Sequence, residues 1–212
     1  MADNKTRIKL CGLMCEADFR TAVSLQPDYI GFILSPPFRR YADPVQVRRW
    51  RENMRDELGE TAAFPQVVGV FVDEEPPYVI RQLQDGVIDI AQLHGAEDDN
   101  YIRQIQEMTD RTVVKAIKVI TKADVERATV CPADYILLDA GTGEGQPFNW
   151  ELAAGVGRDY FLAGGLSPEN VAEAVMRLRP FAVDVSSGIE QDGHKDPERM
   201  RAFVRAVRDM AL

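Results

Sequence analysis

Only three cysteines and two histidines occur in 212 residues. Cys11, Cys15 and Cys131 are odd in number and widely placed, which argues against a disulfide framework. With two isolated histidines they make no zinc constellation. No apolar run approaches the length of a membrane span, and the opening MADNKTRIK lacks the apolar core of a signal peptide. Positive charge is in deficit: 25 Lys and Arg against 34 Asp and Glu leave a formal charge of −9. That balance excludes a general nucleic-acid surface, although a local set of donors can still hold an anionic ligand. Linkers, low-complexity segments and shifts of composition are also missing. The expectation is one soluble, cytoplasmic domain over 1–212, without membrane or nucleic-acid partners.

What is present is alternation. Short apolar runs at 7–13, 29–34, 66–72, 89–93, 113–119, 135–139, 160–163 and 181–185 have strand length. Helical segments separate them at 16–25, 44–58, 76–83, 98–108, 121–128 and 149–154, with two more opening at Ser167-Pro168 and Asp196-Pro197. The last runs almost to Leu212. Asp43-Pro44, Ser167-Pro168 and Asp196-Pro197 pair a capping side chain with a proline at the first helical position, and Thr121 is a further cap. Strands apolar on both faces suit a buried parallel sheet with helical crossovers. Eight full pairs predict an α/β fold, a single-domain (β/α)₈ TIM barrel. A doubly wound open sheet is the competing arrangement, but there the glycine-rich loop follows the first strand. At 212 residues the chain is short for a barrel, which typically takes about 250, so its loops must be brief.

In a barrel, chemistry sits at the C-terminal ends of the strands. Two late strands run into small residues there: Ala163-Gly164-Gly165, and Asp184-Val185-Ser186-Ser187-Gly188. Singly, each reads as a tight turn. As a pair after consecutive strands they read as a phosphate cup, with backbone N–H groups and hydroxyls around an anion. Cys11 ends the first strand. It reads either as a small buried hydrophobe or as a thiolate base, which needs a positive field to lower its pKa. Lys9, two residues earlier on the same face, is the candidate source of that field. Asp139 ends the sixth strand, as a turn residue or as an acid whose pKa burial has raised. Together Cys11 and Asp139 would supply a base and an acid for proton shuffling without a cofactor. His94 ends the fourth strand, where it could bind a metal or donate to substrate, although a lone histidine there is more often a structural donor. Arg39 and Arg40 are either solvated or placed to clamp a carboxylate.

Taken in order, Lys9-Leu10-Cys11-Gly12-Leu13, Gly31-Phe32, Arg39-Arg40-Tyr41, Val68-Gly69-Val70-Phe71-Val72 and Gln92-Leu93-His94-Gly95 form a pattern. It continues through Leu137-Leu138-Asp139, Gly141-Thr142-Gly143, Phe148-Asn149-Trp150, Leu162-Ala163-Gly164-Gly165-Leu166 and Asp184-Val185-Ser186-Ser187-Gly188-Ile189-Glu190. Over essentially its full length the chain resembles the phosphoribosylanthranilate isomerase family of tryptophan biosynthesis. The resemblance implies an Amadori rearrangement of a small phosphoribosyl substrate, with no cofactor and no metal, by a monomer or homodimer. It implies Asp139 as general acid, Cys11 as general base, and Arg40 on the anthranilate carboxylate. It also implies Asp184 at the substrate amine, and Gly164, Gly165, Ser187 and Gly188 around the phosphate.

The chain departs from the family pattern at Ala140, where glycine is usual, at Asn149 in place of Asp, and at Met14 in place of a small polar residue. The segment after Asp139 is compressed, and Gly145-Gln146-Pro147 lengthens the approach to Phe148. Two other readings stand beside the isomerase. A ribulose-phosphate epimerase-like barrel would want strand-end metal ligands, of which only His94 is well placed. A catalytically silent barrel would bind a phosphorylated metabolite or a partner enzyme without turnover.

Overall fold

The computed structural model describes residues 5–59, 62–139 and 150–211. Among them run eight long-range strands: β1 (Arg7–Cys11), β2 (Tyr29–Ile33), β3 (Gln66–Phe71), β4 (Ile90–Leu93), β5 (Val113–Lys118), β6 (Tyr135–Asp139), β7 (Tyr160–Ala163) and β8 (Ala182–Val185). The helices that follow them are α1 (Glu16–Ser24), α2 (Pro44–Leu58), α3 (Pro76–Gln84), α4 (Asp99–Thr109), α5 (Lys122–Val130), α6 (Trp150–Ala154), α7 (Val171–Leu178) and α8 (Pro197–Arg208). Each strand pairs in parallel with the next, and β8 pairs with β1, so the sheet closes into a barrel rather than staying open. This is the expected (β/α)₈ fold.

Strand alternation divides the apolar residues between two cores. One face of the sheet, including Ile8, Leu10, Phe32, Phe71, Leu138 and Leu162, packs on the helices through Phe19, Val79, Leu83, Ile105 and Phe203, all essentially buried. Removing such a side chain from water contributes about 1.5–3 kcal/mol each. The other face fills the barrel with Tyr29, Val68, Ile90, Val114, Ala116, Leu137, Phe161, Ala163 and Ala182. Toward the N-terminal ends of the strands this filling is aromatic. Tyr135 stacks on Phe181 at 4.7 Å, Tyr29 lies 5.2 Å from Phe161, and the Arg7 guanidinium sits 4.3 Å above Phe181. The inward positions nearer the C-terminal ends are polar: Lys9, Cys11, Gln92, Asp139 and Asp184. The barrel is therefore stoppered by aromatic rings at one end and polar at the other.

Helix starts follow the capping residues closely. Asp43 accepts from Val45 N at 2.8 Å ahead of Pro44, and Asp196 accepts from Arg199 N at 2.7 Å ahead of Pro197. Thr121 and Asp124 form a reciprocal capping box. Ser167-Pro168 does not open α7, which begins at Val171. Asn170 accepts from Ser167 N at 2.8 Å and donates to Gly165 O at 2.9 Å, folding 167–170 into a turn before the helix. The last helix stops at Arg208 and a 3₁₀ turn, Asp209–Ala211, follows it. Between β8 and α8 the chain makes a small antiparallel hairpin of β9 (Glu190–Gln191) and β10 (His194–Lys195), which the sequence reading did not anticipate. The readings of Ala140, of the compressed segment through Gly145-Gln146-Pro147 and Phe148, and of Asn149 lie outside the described residues, as does Leu212.

Candidate active site

Cys11 ends β1 with its side chain inside the barrel, 6% exposed. Its register partner is Gly31 on β2. A Cβ at Gly31 would stand 2.6 Å from Cys11 Sγ, so the missing side chain is what makes room for the thiol. Lys9, one inward position below, is 1% exposed and lies opposite Asp184 in the β1–β8 pairing. Lys9 Nζ donates to Asp184 Oδ1 at 3.0 Å. Burial works against the Lys9 charge, but Asp184 and Cys11 together outweigh it and the ammonium is held above its ordinary pKa. At Cys11 the balance is different. Burial raises the thiol pKa, Lys9 lowers it, and Asp184 raises it again, for a net upward shift. The expected positive field from Lys9 is thus present but is outweighed by burial, to which Asp184 adds, and the resting group is a neutral thiol.

Asp139 ends β6, three strands from β1 around the closed sheet by way of β8 and β7. Its Oδ2 stands 3.3 Å from His94 Nε2, while His94 Nδ1 lies 3.1 Å from Gln92 Nε2. With the amide in that orientation Gln92 donates to Nδ1, which leaves the imidazole proton on Nε2 facing the Asp139 carboxylate. The peptide groups flanking His94 are fixed from below by a buried ion pair. Lys115 Nζ donates to Leu93 O at 3.4 Å, Gly95 O at 2.7 Å and Glu97 Oε2 at 2.6 Å. Glu97 in turn accepts from the backbone N of Asp73 and of Gly95, each at 2.9 Å. His94, weighed from sequence as a structural donor, contacts the carboxylate of the candidate acid. Lys115 and Glu97 carried no signal, because strand-interior lysine has no characteristic spacing.

The two small-residue loops meet above β7 and β8. Gly164 and Gly165 both have positive φ, 90° and 68°, which an L side chain resists. Ser187 and Gly188 lie in a single 3₁₀ turn, Ser187–Ile189. Gly188 packs directly on the β7 loop: an added Cβ would fall 1.9 Å from Leu166 O. Its glycine is thus required by loop-on-loop contact as well as by any ligand.

Arg40 stands in the loop after β2, with its stem over Gly12, where a Cβ would lie 2.9 Å from Arg40 Cδ. Its Nε and Nη2 donate to Glu190 Oε1 and Oε2 at 2.6 and 3.2 Å. Arg39 also pairs with Glu190, at 2.8 Å, and Lys195 Nζ does so at 2.9 Å. The structure therefore gathers Cys11, Asp184 and Arg40 around the exits of β1 and β8, and places Asp139 with His94 on β6 and β4. Sequence reasoning missed Glu190 and Lys195 as members of this group. Among the described residues no cluster of three or more His, Cys, Asp or Glu has the arrangement of a metal site.

Residues 8–206 match the family model described as N-(5'phosphoribosyl)anthranilate (PRA) isomerase. The N-(5'-phosphoribosyl)anthranilate isomerase of Endomicrobium trichonymphae is 36% identical over 209 residues, covering 96% of this chain and 99% of that one. The crystal structure of phosphoribosyl anthranilate isomerase from Thermotoga maritima superposes with a TM-score of 0.84 at 36% identity, over 96% of this chain and 99% of that one. A second isomerase structure, in complex with reduced 1-(o-carboxyphenylamino)-1-deoxyribulose 5-phosphate, gives 0.82 at 35% identity with the same coverage. With its closed barrel and its inward cysteine and aspartate at strand ends, the chain belongs to the N-(5'-phosphoribosyl)anthranilate isomerase family.

Proposed function

We propose that this protein converts N-(5'-phosphoribosyl)anthranilate to 1-(2-carboxyphenylamino)-1-deoxyribulose 5-phosphate, an Amadori rearrangement in tryptophan biosynthesis. As general acid Asp139 gives a proton to the ribose ring oxygen, the C1–O bond opens, and the anilino nitrogen lone pair forms an iminium at C1. That cation acidifies the C2 proton, which Cys11 removes as general base. The electron pair moves into a C1–C2 enolamine, which relaxes to the ketone as C1 takes up a proton and the C2 hydroxyl gives one up. The starting and final compounds are isomers, so the overall conversion consumes no oxidant or reductant.

The neutral resting state of Cys11 fits this order. Burial favours the thiol in the free enzyme, so Cys11 gives its own proton to water before it acts as base, and the positive iminium formed on ring opening favours the thiolate that results. Gly164, Gly165, Ser187 and Gly188 hold the phosphate, Arg40 the anthranilate carboxylate, and Asp184 the amine. The working unit is a monomer or a homodimer. The observation carrying the reading is an inward Cys11 and an inward Asp139 at strand ends of a chain with this family membership. Growth of a tryptophan auxotroph lacking this step tests it. The wild-type chain is expected to restore growth and Asp139→Asn is not; equal failure of both, with folded protein present, contradicts the reading.

A further inference from the structure

The hairpin after β8 carries a buried carboxylate that the steps above do not use. Glu190 has a side chain only 7% exposed, yet it faces three cations, Arg39, Arg40 and Lys195. It cannot wander among them. Lys195 has no exposed side-chain surface and is itself anchored by donating to Ser186 O at 2.8 Å. Arg39 ties the far side of the hairpin through Gly193 O at 2.6 Å.

A guanidinium has two edges on which a carboxylate can sit with two parallel hydrogen bonds, Nε with Nη2, and Nη1 with Nη2. Glu190 fills the first edge of Arg40. Among the described residues none hydrogen-bonds Nη1, so the second edge is available to a ligand. The stem of the same arginine crosses Gly12, next in sequence to Cys11. An added Cβ there would also meet Ser186 Oγ at 2.7 Å and Lys195 Nζ at 3.5 Å. The arginine is thus aimed at the common exit of β1 and β8. Three cations against one carboxylate leave a local surplus of positive charge on a chain whose formal charge is −9.

We propose that Glu190 is the positioning residue for substrate recognition: it holds one edge of Arg40 so that the other edge meets the substrate's aryl carboxylate. The inference rests on the reading of Arg40 given above. Without Glu190, three like charges repel one another and the fork loses its orientation. Its neighbours also keep it charged, since the cations outweigh burial and hold its pKa at about 2.

Affinities of two ligands distinguish positioning from scaffolding: reduced 1-(o-carboxyphenylamino)-1-deoxyribulose 5-phosphate, and its counterpart without the ring carboxylate. Calorimetry on Glu190→Gln is expected to show about tenfold or greater weakening for the first and less than about twofold for the second. In an Arg40→Met background the Glu190 substitution adds no further selective loss. Equal weakening for both ligands overturns the proposal, because Glu190 then only supports the fold. Tighter binding of the carboxylate ligand also overturns it, because Glu190 is then a competitor for Arg40. If Arg40→Met treats the two ligands alike, the reading of Arg40 fails, a result separable from that of Glu190→Gln. Should the glutamine variant not fold, Glu190→Asp keeps the charge on a shorter arm; a smaller but still selective loss is expected, and an unselective one overturns the proposal.

Discussion

At the scale of single residues, the hydrogen atom that serves Gly31 as a side chain sets the room available to Cys11. A methyl group there would stand 2.6 Å from Sγ and 3.2 Å from the Cys11 Cα, too close for either to stay in place. Gly31→Ala is therefore expected to cost about 1–3 kcal/mol of stability by overpacking. It should also lower kcat by about tenfold or more by turning the thiol away from its target, since small misplacements of a reacting group are costly. Chemical denaturation and steady-state kinetics on one preparation check both parts; an unchanged kcat would show that the thiol position does not matter. Cys11 itself was legible, as a polar atom at the end of an apolar run. Its charge state was not. Lys9 and Asp184 are 175 positions apart in the chain, and only barrel closure brings the carboxylate to that lysine and buries the thiol, the larger of the two effects that keep it neutral. Local spacing gives the donor beside Cys11 and hides the acceptor that competes for it.

Elements differ in how openly they announce themselves. Strand and helix positions could be read because apolar periodicity and capping chemistry are local, as at Asp43-Pro44 and Asp196-Pro197. The Ser167-Pro168 helix start failed because Asn170 reaches back to close a turn, a competition that capping preferences alone do not resolve. The β9–β10 hairpin was missed because its strands are two residues long and polar. Its one signal was Asp192-Gly193, both with positive φ, the requirement of a type I′ turn. That hairpin makes a pH prediction. Arg40, Lys195 and Arg39 hold Glu190 at a pKa of about 2, below its ordinary 4.5, despite burial. A depressed carboxylate pKa stabilises the fold above the unfolded value, and the contribution is lost as pH falls through the folded one. The stability advantage of wild type over Glu190→Gln should be full above about pH 4.5 and shrink toward pH 2, by an amount on the order of 3 kcal/mol. Urea unfolding of both proteins across that window measures it, and a pH-independent difference would count against the ion-pair cluster.

For the whole molecule, the useful quantity is the contrast between a net acidic surface and a cationic rim above β1 and β8. The formal charge of −9 says nothing of that rim, because Arg39, Arg40, Glu190 and Lys195 come from separate parts of the chain. The barrel, by contrast, could be counted from eight apolar runs, since a parallel sheet buried on both faces leaves few other patterns. No helix among the described residues is long and apolar enough to cross a membrane. The central claim is that one closed barrel brings an acid on β6 and a base on β1 to bear on one phosphoribosyl substrate. Its most direct test is steady-state consumption of fluorescent N-(5'-phosphoribosyl)anthranilate by wild type, Cys11→Ala and Asp139→Asn, each verified as folded. Turnover by wild type is expected, with a loss of kcat on the order of 10²–10⁴-fold in each variant. Wild-type turnover that survives both substitutions would contradict it.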